Sequence, residues 1–208
     1  MPTVVDGPTV TLHAFAVSHA WLTPIVIGVT AAFVFLCPIL FVVVWGRDRR
    51  LRPGVAALLG LALTQWAAHE VERLSIRPRP FVAMHFTPLF PHAANNSFPS
   101  STTAFIAVAG IIGVLAWRRR GVILVVGTAV VAVGCVYVGV HYVSDVIVGA
   151  ALGATCGAVT WFVAGLPPVT WALSAVERRF PRRQRRVEAA APADPRTRDR
   201  VEVPTGVS

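Results

Sequence analysis

Five apolar segments, at roughly residues 22–46, 54–72, 101–117, 121–141 and 143–165, constrain this chain more than any other feature. A helix needs about 20 residues to span the hydrocarbon core of a bilayer. The segments are rich in Val, Ala, Leu and Gly without strict alternation, which argues against a β-barrel. Soluble domains carry roughly a quarter charged residues. Here 14% are charged and 55% hydrophobic, with a mean hydropathy of +0.64. The expected fold is therefore all-α, a polytopic transmembrane helical bundle of about five spans over residues 22–166. In the preceding segment, residues 1–21, His13 and Phe15 to Trp21 are expected to form a short interfacial helix. The segment has no basic n-region, so it does not read as a cleaved signal peptide. The basic tail, residues 167–208, is rich in Arg, Pro, Ala and Asp from about residue 182 and is expected to be disordered there.

All nineteen basic residues are arginine. Arg47, Arg49, Arg50 and Arg52 occupy the first connection, Arg118, Arg119 and Arg120 the third. Arg178, Arg179, Arg182, Arg183, Arg185 and Arg186 follow the last span. The positive-inside rule assigns these regions and the C-terminus to the cytoplasm of a multi-pass cell-membrane protein. The second and fourth connections then face outward. The net charge of +9 thus reads as a topology signal with attraction to anionic membrane lipids. Nucleic-acid binding is a poor reading, because the arginines flank spans without an aromatic-basic patch. Cys37, Cys135 and Cys156 fall within spans and read as small buried hydrophobes. No internal repeat is visible, and the histidines lack metal-ligand spacing.

The second connection, ERLSIRPRPFVAMHFTPLFPHAANNSFPSSTTAF from Glu72 to Phe105, breaks the charge rule. It places Arg73, Arg77 and Arg79 outside. An anionic ligand supplies a reason, since the planar guanidinium fork suits phosphate oxygens. Pairing with Glu70 and Glu72, or snorkelling to lipid headgroups, is the plainer alternative. Pro78 and Pro80 restrict the backbone around Arg79. Pro99, Ser100, Ser101, Thr102 and Thr103 read as the start of the third span, where proline and hydroxyl residues are favoured and free N–H groups can hold an anion.

The fourth connection contains His141 and, four residues on, Asp145 within CVYVGVHYVSD. Ionisable groups are costly at membrane depth, which makes function the default reading. If helical phase persists, the spacing puts both on one face. Asp145 is then placed to fix the tautomer of His141, leaving the other ring nitrogen to attack or relay a proton. A polar pair closing a helix end is the alternative.

Together RPRPF, SFPSSTTAF and VYVGVHYVSD resemble, in order and side, the three motifs of the type 2 phosphatidic-acid phosphatase superfamily. The likeness is greatest to undecaprenyl-diphosphate phosphatases of the bacitracin-resistance type. Arg79 and Pro80 match the first motif, but its lysine position is Glu72. Pro99 and Ser100 match the second, but its histidine position is Thr102. His141 and Asp145 match the third, but its Ser-Arg pair is Gly134-Cys135.

The resemblance implies a metal-independent, cofactor-free hydrolysis of a lipid phosphate or diphosphate. His141 would attack phosphorus to give a phosphohistidine, and Arg79 and Ser100 would bind phosphate. It also implies that a phosphate lysine, a phosphate arginine and the general acid are missing. Glu72 reverses a charge, and a threonine hydroxyl cannot serve as a general acid near neutral pH. Two compensations are conceivable: Arg73 or Arg77 for the lost cation, and His69, His85 or His92 for the lost proton donor, with no spacing that favours any one of the three. Three readings stay open: a divergent lipid-diphosphate phosphatase of the outer leaflet, an inactive relative that binds lipid phosphates or a membrane partner, and an unrelated carrier. No pair of broken spans supports the carrier. Gly149, Gly153 and Gly157 form a small-residue series suited to close helix packing.

Overall fold

The computed structural model describes residues 7–48 and 50–179. Within them the chain is helical, with no strand. Helix α1 (Gly7–Ser18) runs through a 3-10 turn into α2 (Thr23–Asp48), followed by α3 (Leu51–Leu74) and the one-turn α4 (Pro80–Ala83). Then come α5 (Ser101–Trp117), α6 (Val122–Tyr137), α7 (Val143–Val163) and α8 (Pro167–Arg179). Expected disorder beyond about residue 182, and Arg182, Arg183, Arg185 and Arg186, lie outside the described residues.

Five long helices thus stand where the apolar segments predict them, but they are not equally suited to a bilayer. Ala20–Asp48, Ser101–Arg120 and Val143–Val163 are long and apolar enough to cross one. Helix α3 carries Arg52, His69, Glu70, Glu72 and Arg73. Helix α6 has 16 residues, or about 24 Å at 1.5 Å per residue, short of the ~30 Å core.

Hydropathy is distributed as a lipid solvent requires. Phe35, Leu36, Ile39 and Val42 on α2, Val122 and Val126 on α6, and Ile147 and Phe162 on α7 face outward. Water would penalise such a surface; lipid does not, and helices there associate through close packing of small residues. Helices α5 and α7 pack in this way. A Cβ on Gly149 would run into the Ser100 carbonyl, and one on Gly153 into the Ala104 carbonyl. On Gly157 it would meet Ile111 and the Val108 backbone. The interior between α2, α3, α5 and α6 is filled by Cys37, Phe41, Ala56, Ile112, Leu124 and Val131.

The arginine-rich connections share one end of the bundle. Trp117 Nε1 donates to Asp48 Oδ2 at 3.1 Å, and the Leu51 N–H, at the start of α3, donates to Glu177 Oε1 at 2.7 Å. Arg52 lies 4.0 Å over the Trp161 ring and donates to the Trp161 carbonyl. The second and fourth connections meet at the opposite end.

Helix α6 is shorter than its apolar run suggests. It ends in a Schellman motif, with Gly139 N–H bonded to Val136 O (3.0 Å) and Val140 N–H to Cys135 O (3.2 Å). Gly139 adopts φ +79°, a left-handed position that favours glycine after a helix. His141 therefore sits in a turn, and the expected helical phase from His141 to Asp145 is interrupted.

Backbone contact between α5 and α7 leaves no slack. Gly153→Ala should lower the melting temperature in detergent by an amount equivalent to about 1–3 kcal/mol, the usual cost of overpacking. Gly28, with open space where a Cβ would stand, should accept alanine without loss; equal melting of the two variants would contradict this packing.

Candidate active site

Asp145 is the most enclosed ionisable group of the fourth connection, at 0% exposure. It lies in the first turn of α7, and its Oδ2 accepts the Tyr142 N–H at 2.9 Å. The Ser97 hydroxyl donates to the same oxygen. Arg77 Nη1 donates to Oδ1 at 2.7 Å and to Ser144 Oγ at 2.7 Å, while its guanidinium stacks 3.9 Å over the Tyr142 ring. A buried carboxylate needs such a set of donors and a counter-charge.

His141 is also buried, at 5% exposure. Its Nδ1 lies 2.9 Å from the Ser97 carbonyl and 3.6 Å from Asp145 Oδ2. Its Nε2 lies 3.2 Å from Arg79 Nη1. A carbonyl can only accept and a guanidinium can only donate. Those partners select a neutral ring with the proton on Nδ1 and a lone pair on Nε2. Asp145 was expected to hold this tautomer; the nearer partner is the Ser97 carbonyl. Asp145 stands behind it, with its Oδ2 3.6 Å from Nδ1.

Arg79 is 5% exposed. Its Nε donates to Asn95 Oδ1 (2.8 Å) and its Nη1 to the Val140 carbonyl (2.9 Å). No carboxylate of the described residues lies within 4.0 Å of its guanidinium. Burial lowers its pKa from the ordinary arginine value, opposed chiefly by the more distant charge of Asp145 and also by Glu72. Arginine stays protonated in proteins. The result is a buried cation without a direct counter-ion, beside a nitrogen lone pair.

The connection before α5 holds this cation. Asn96 Oδ1 accepts the Arg77 N–H at 3.0 Å, and its Nδ2 donates to the carbonyls of Ser75 (2.7 Å) and Glu72 (3.2 Å). The Ser97 N–H returns a bond to the Arg77 carbonyl at 2.9 Å. Ser100, fully buried, precedes α5; its N–H donates to the Asp145 carbonyl at 3.1 Å, and its hydroxyl pairs with Thr103 instead of capping the helix backbone.

The structure therefore brings His141, Asp145, Arg77, Arg79 and Ser100 together, but with altered partners. Arg77 neutralises Asp145 and is not free to replace a phosphate cation. Arg73 lies on the surface, 3.5 Å from Glu70, so the plainer pairing expected of it is the one observed. Thr102 lines an apolar cleft with Val34, Pro38, Leu61 and Phe105. Glu72 is half-buried, and Cys135 packs among the hydrophobic residues of α6. Of the three spare histidines, His69 and His85 are exposed; His92 turns its ring to His141, with centres 6.4 Å apart at 72°. Asn95, Asn96, Ser97 and Ser144 were missed. A run of polar residues, NNS, immediately before a proline-led helix start was the available signal.

Because Arg77 supplies the counter-charge of a carboxylate with no exposure, Arg77→Met should destabilise the fold. Breaking a fully buried pair costs about 3–5 kcal/mol. With the Arg77 side chain 27% exposed, about 1–3 kcal/mol is expected, in the range for an unsatisfied buried group. Thermal unfolding in detergent, with Arg73→Met as the neutral comparison, measures it.

A family model described as the PAP2 superfamily matches residues 53–165, more than half of the chain. YbjG of Escherichia coli K12, whose name assigns it provisionally as an undecaprenyl-diphosphatase, is 28% identical over 146 residues, covering 68% of this chain and 73% of that protein. The undecaprenyl-diphosphatase BcrC of Bacillus subtilis 168 is 26% identical over 142 residues, covering 65% and 72%. Among solved structures, Aquifex aeolicus LpxE superposes with a TM-score of 0.60 at 22% identity, covering 76% of this chain and 98% of that one. The first transmembrane PAP2-type phosphatidylglycerolphosphate phosphatase from Bacillus subtilis gives 0.60 at 24% identity, covering 75% and 84%. The two structures share the helical fold. The chain is a membrane protein and belongs to the PAP2 superfamily, a family of lipid phosphatases that includes undecaprenyl-diphosphatases.

Proposed function

We propose that this protein is a lipid-diphosphate phosphatase that works on the outer leaflet of the cell membrane, on a polyprenyl diphosphate of the undecaprenyl type. The observation that carries the reading is Arg79, a buried cation without a carboxylate partner, 3.2 Å from the Nε2 lone pair of His141. A terminal phosphoryl group would bind here by displacing this contact. Its oxygens take over the guanidinium N–H groups, and Nε2 attacks phosphorus as the bond to the bridging oxygen breaks. The products are a phosphohistidine and a prenyl monophosphate. Water then cleaves the N–P bond, releasing phosphate and restoring His141. Phosphoryl transfer of this kind relies on positioning and charge stabilisation. Ser97 holds the Nδ1–H throughout, and Asp145 offsets the positive charge that develops on the ring. Arg77 and Ser100 position Asp145 and α5, and Arg73 has no part.

The chain's relatives named as undecaprenyl-diphosphatases support this choice of lipid. Arginines at the far end of the bundle support an outward-facing site with a cytoplasmic C-terminus. A second reading, an inactive lipid-phosphate binder, draws on Thr102 lining the apolar cleft and on the Glu72 charge near Arg79.

Phosphate release from undecaprenyl diphosphate by the purified protein decides between them. Wild type is expected to release phosphate and His141→Ala to fall to background, with Arg79→Ala weakened in both kcat and KM. A phosphomonoester leaves with less need of a proton than an alkoxide does, so the diphosphate should be cleaved faster than undecaprenyl monophosphate. No release by wild type above the His141→Ala level would point to the second reading.

A further inference from the structure

A nucleophile, a cation and an orienting carboxylate leave one task unassigned: supplying a proton to the oxygen that departs. The groups around His141 Nε2 narrow the choice. Asp145 is saturated by Arg77, Ser97 and the Tyr142 N–H. Ser144 is bound to Arg77, and a threonine or serine hydroxyl gives up its proton far above neutral pH. Glu72 has its backbone carbonyl held by Asn96, and among the described residues no ion pair joins its carboxylate to His141. His92 is different. It stands on the connection between α4 and α5, exposed to the outside, with its ring edge-on to His141 at 6.4 Å between centres. Its Nδ1 lies 3.2 Å from the Ala93 carbonyl, and this contact orients the ring and leaves Nε2 available. A nucleophile approaches phosphorus at about 3–3.5 Å, and a proton donor approaches its oxygen at about 2.6–3.2 Å. With ring centres 6.4 Å apart, His92 stands beside His141, close enough to reach an oxygen of a phosphoryl group held at Nε2.

We propose that His92 is the proton donor of this site, a catalytic residue supplied by the second connection in place of the first turn of α5. The inference rests on the phosphatase reading above. In the first step His141 Nε2 forms a bond to the terminal phosphorus, the bond to the bridging oxygen breaks, and the His92 imidazolium gives its proton to that oxygen. In the second step neutral His92 takes a proton from water while the water oxygen attacks phosphorus. The N–P bond breaks, inorganic phosphate departs, and both histidines return to their starting states.

Arg79 and His141 are the charged and titratable groups that face His92 among the described residues. Packing around the ring lowers its pKa from the ordinary histidine value; the Ala93 carbonyl opposes this, and Arg79 and His141 add to it. Since the donor works protonated, kcat/KM should fall as pH rises through a value below about 6.5. An anionic phosphate bound between Arg79 and His92 should carry the corresponding limb of kcat to higher pH.

The test compares wild type, His92→Gln and His141→Ala on farnesyl diphosphate and farnesyl monophosphate, each with a pH profile. His92→Gln should lose about 10²–10⁴-fold in kcat on the monophosphate, the range of general acid catalysis, and distinctly less on the diphosphate. The alkaline limb of kcat/KM should disappear on the diphosphate. A His92 that merely binds phosphate would instead raise KM alike on both and leave the limb in place; that result, or unchanged kinetics, overturns the inference while the phosphatase reading stands. A wild type inactive on both substrates overturns both.

Discussion

Asp145 ties three stretches of this chain to a single buried point. Its carboxylate closes the first turn of α7, takes the charge of Arg77 from the second connection, and accepts the hydroxyl of Ser97 ahead of α5. Its carbonyl accepts the N–H of Ser100. A buried carboxylate stripped of these donors would be costly, so the three stretches find their places together. His141 then falls into position between the Ser97 carbonyl and Arg79 with its protonation fixed by geometry. The site is a consequence of how one negative charge is satisfied.

The five helices were legible because lipid is an undiscriminating solvent: apolar runs of sufficient length declare themselves, and the Gly149, Gly153, Gly157 series declares a packing face. The end of α6 was also written in the chain. Gly139 follows an apolar run where a helix would close, yet hydropathy alone carried the expected span to His141. The convergence of Arg79 with His141 could be expected from motif order. The partner exchange could not. Arg77 and Arg79 are two residues apart and chemically identical, and which of them meets Asp145 depends on where Asn96 holds the backbone and Asn95 the Arg79 guanidinium. Sequence spacing is silent about a connection pinned by side-chain amides to carbonyls 21 to 24 residues away.

The substituted motif positions read differently once placed. Glu72, Thr102 and Cys135 each remove a charge or proton that family likeness leads one to expect. Thr102 turns to an apolar cleft of about 480 Å³ between α2, α3 and α5, and Cys135 joins the hydrophobic packing. Thr102 and Cys135 have therefore been absorbed into greasy surroundings, Glu72 stays half-buried with its charge felt at Arg79, and the remaining polar chemistry is concentrated on Arg79, His141 and the connection above them.

Helices α5 and α7 meet backbone to backbone, and that has a mechanical corollary. Side chains that interlock can change rotamer and let two helices slide; a carbonyl pressed against a glycine Cα has no such freedom. These two helices move as one beam, with His141 and Asp145 fastened to its end. Helix α2 touches α3 only sparingly, and the connection from residue 84 to 96 is largely solvent-facing. Loosening of the structure is therefore expected first in that connection, while His141 stays with the α5–α7 pair.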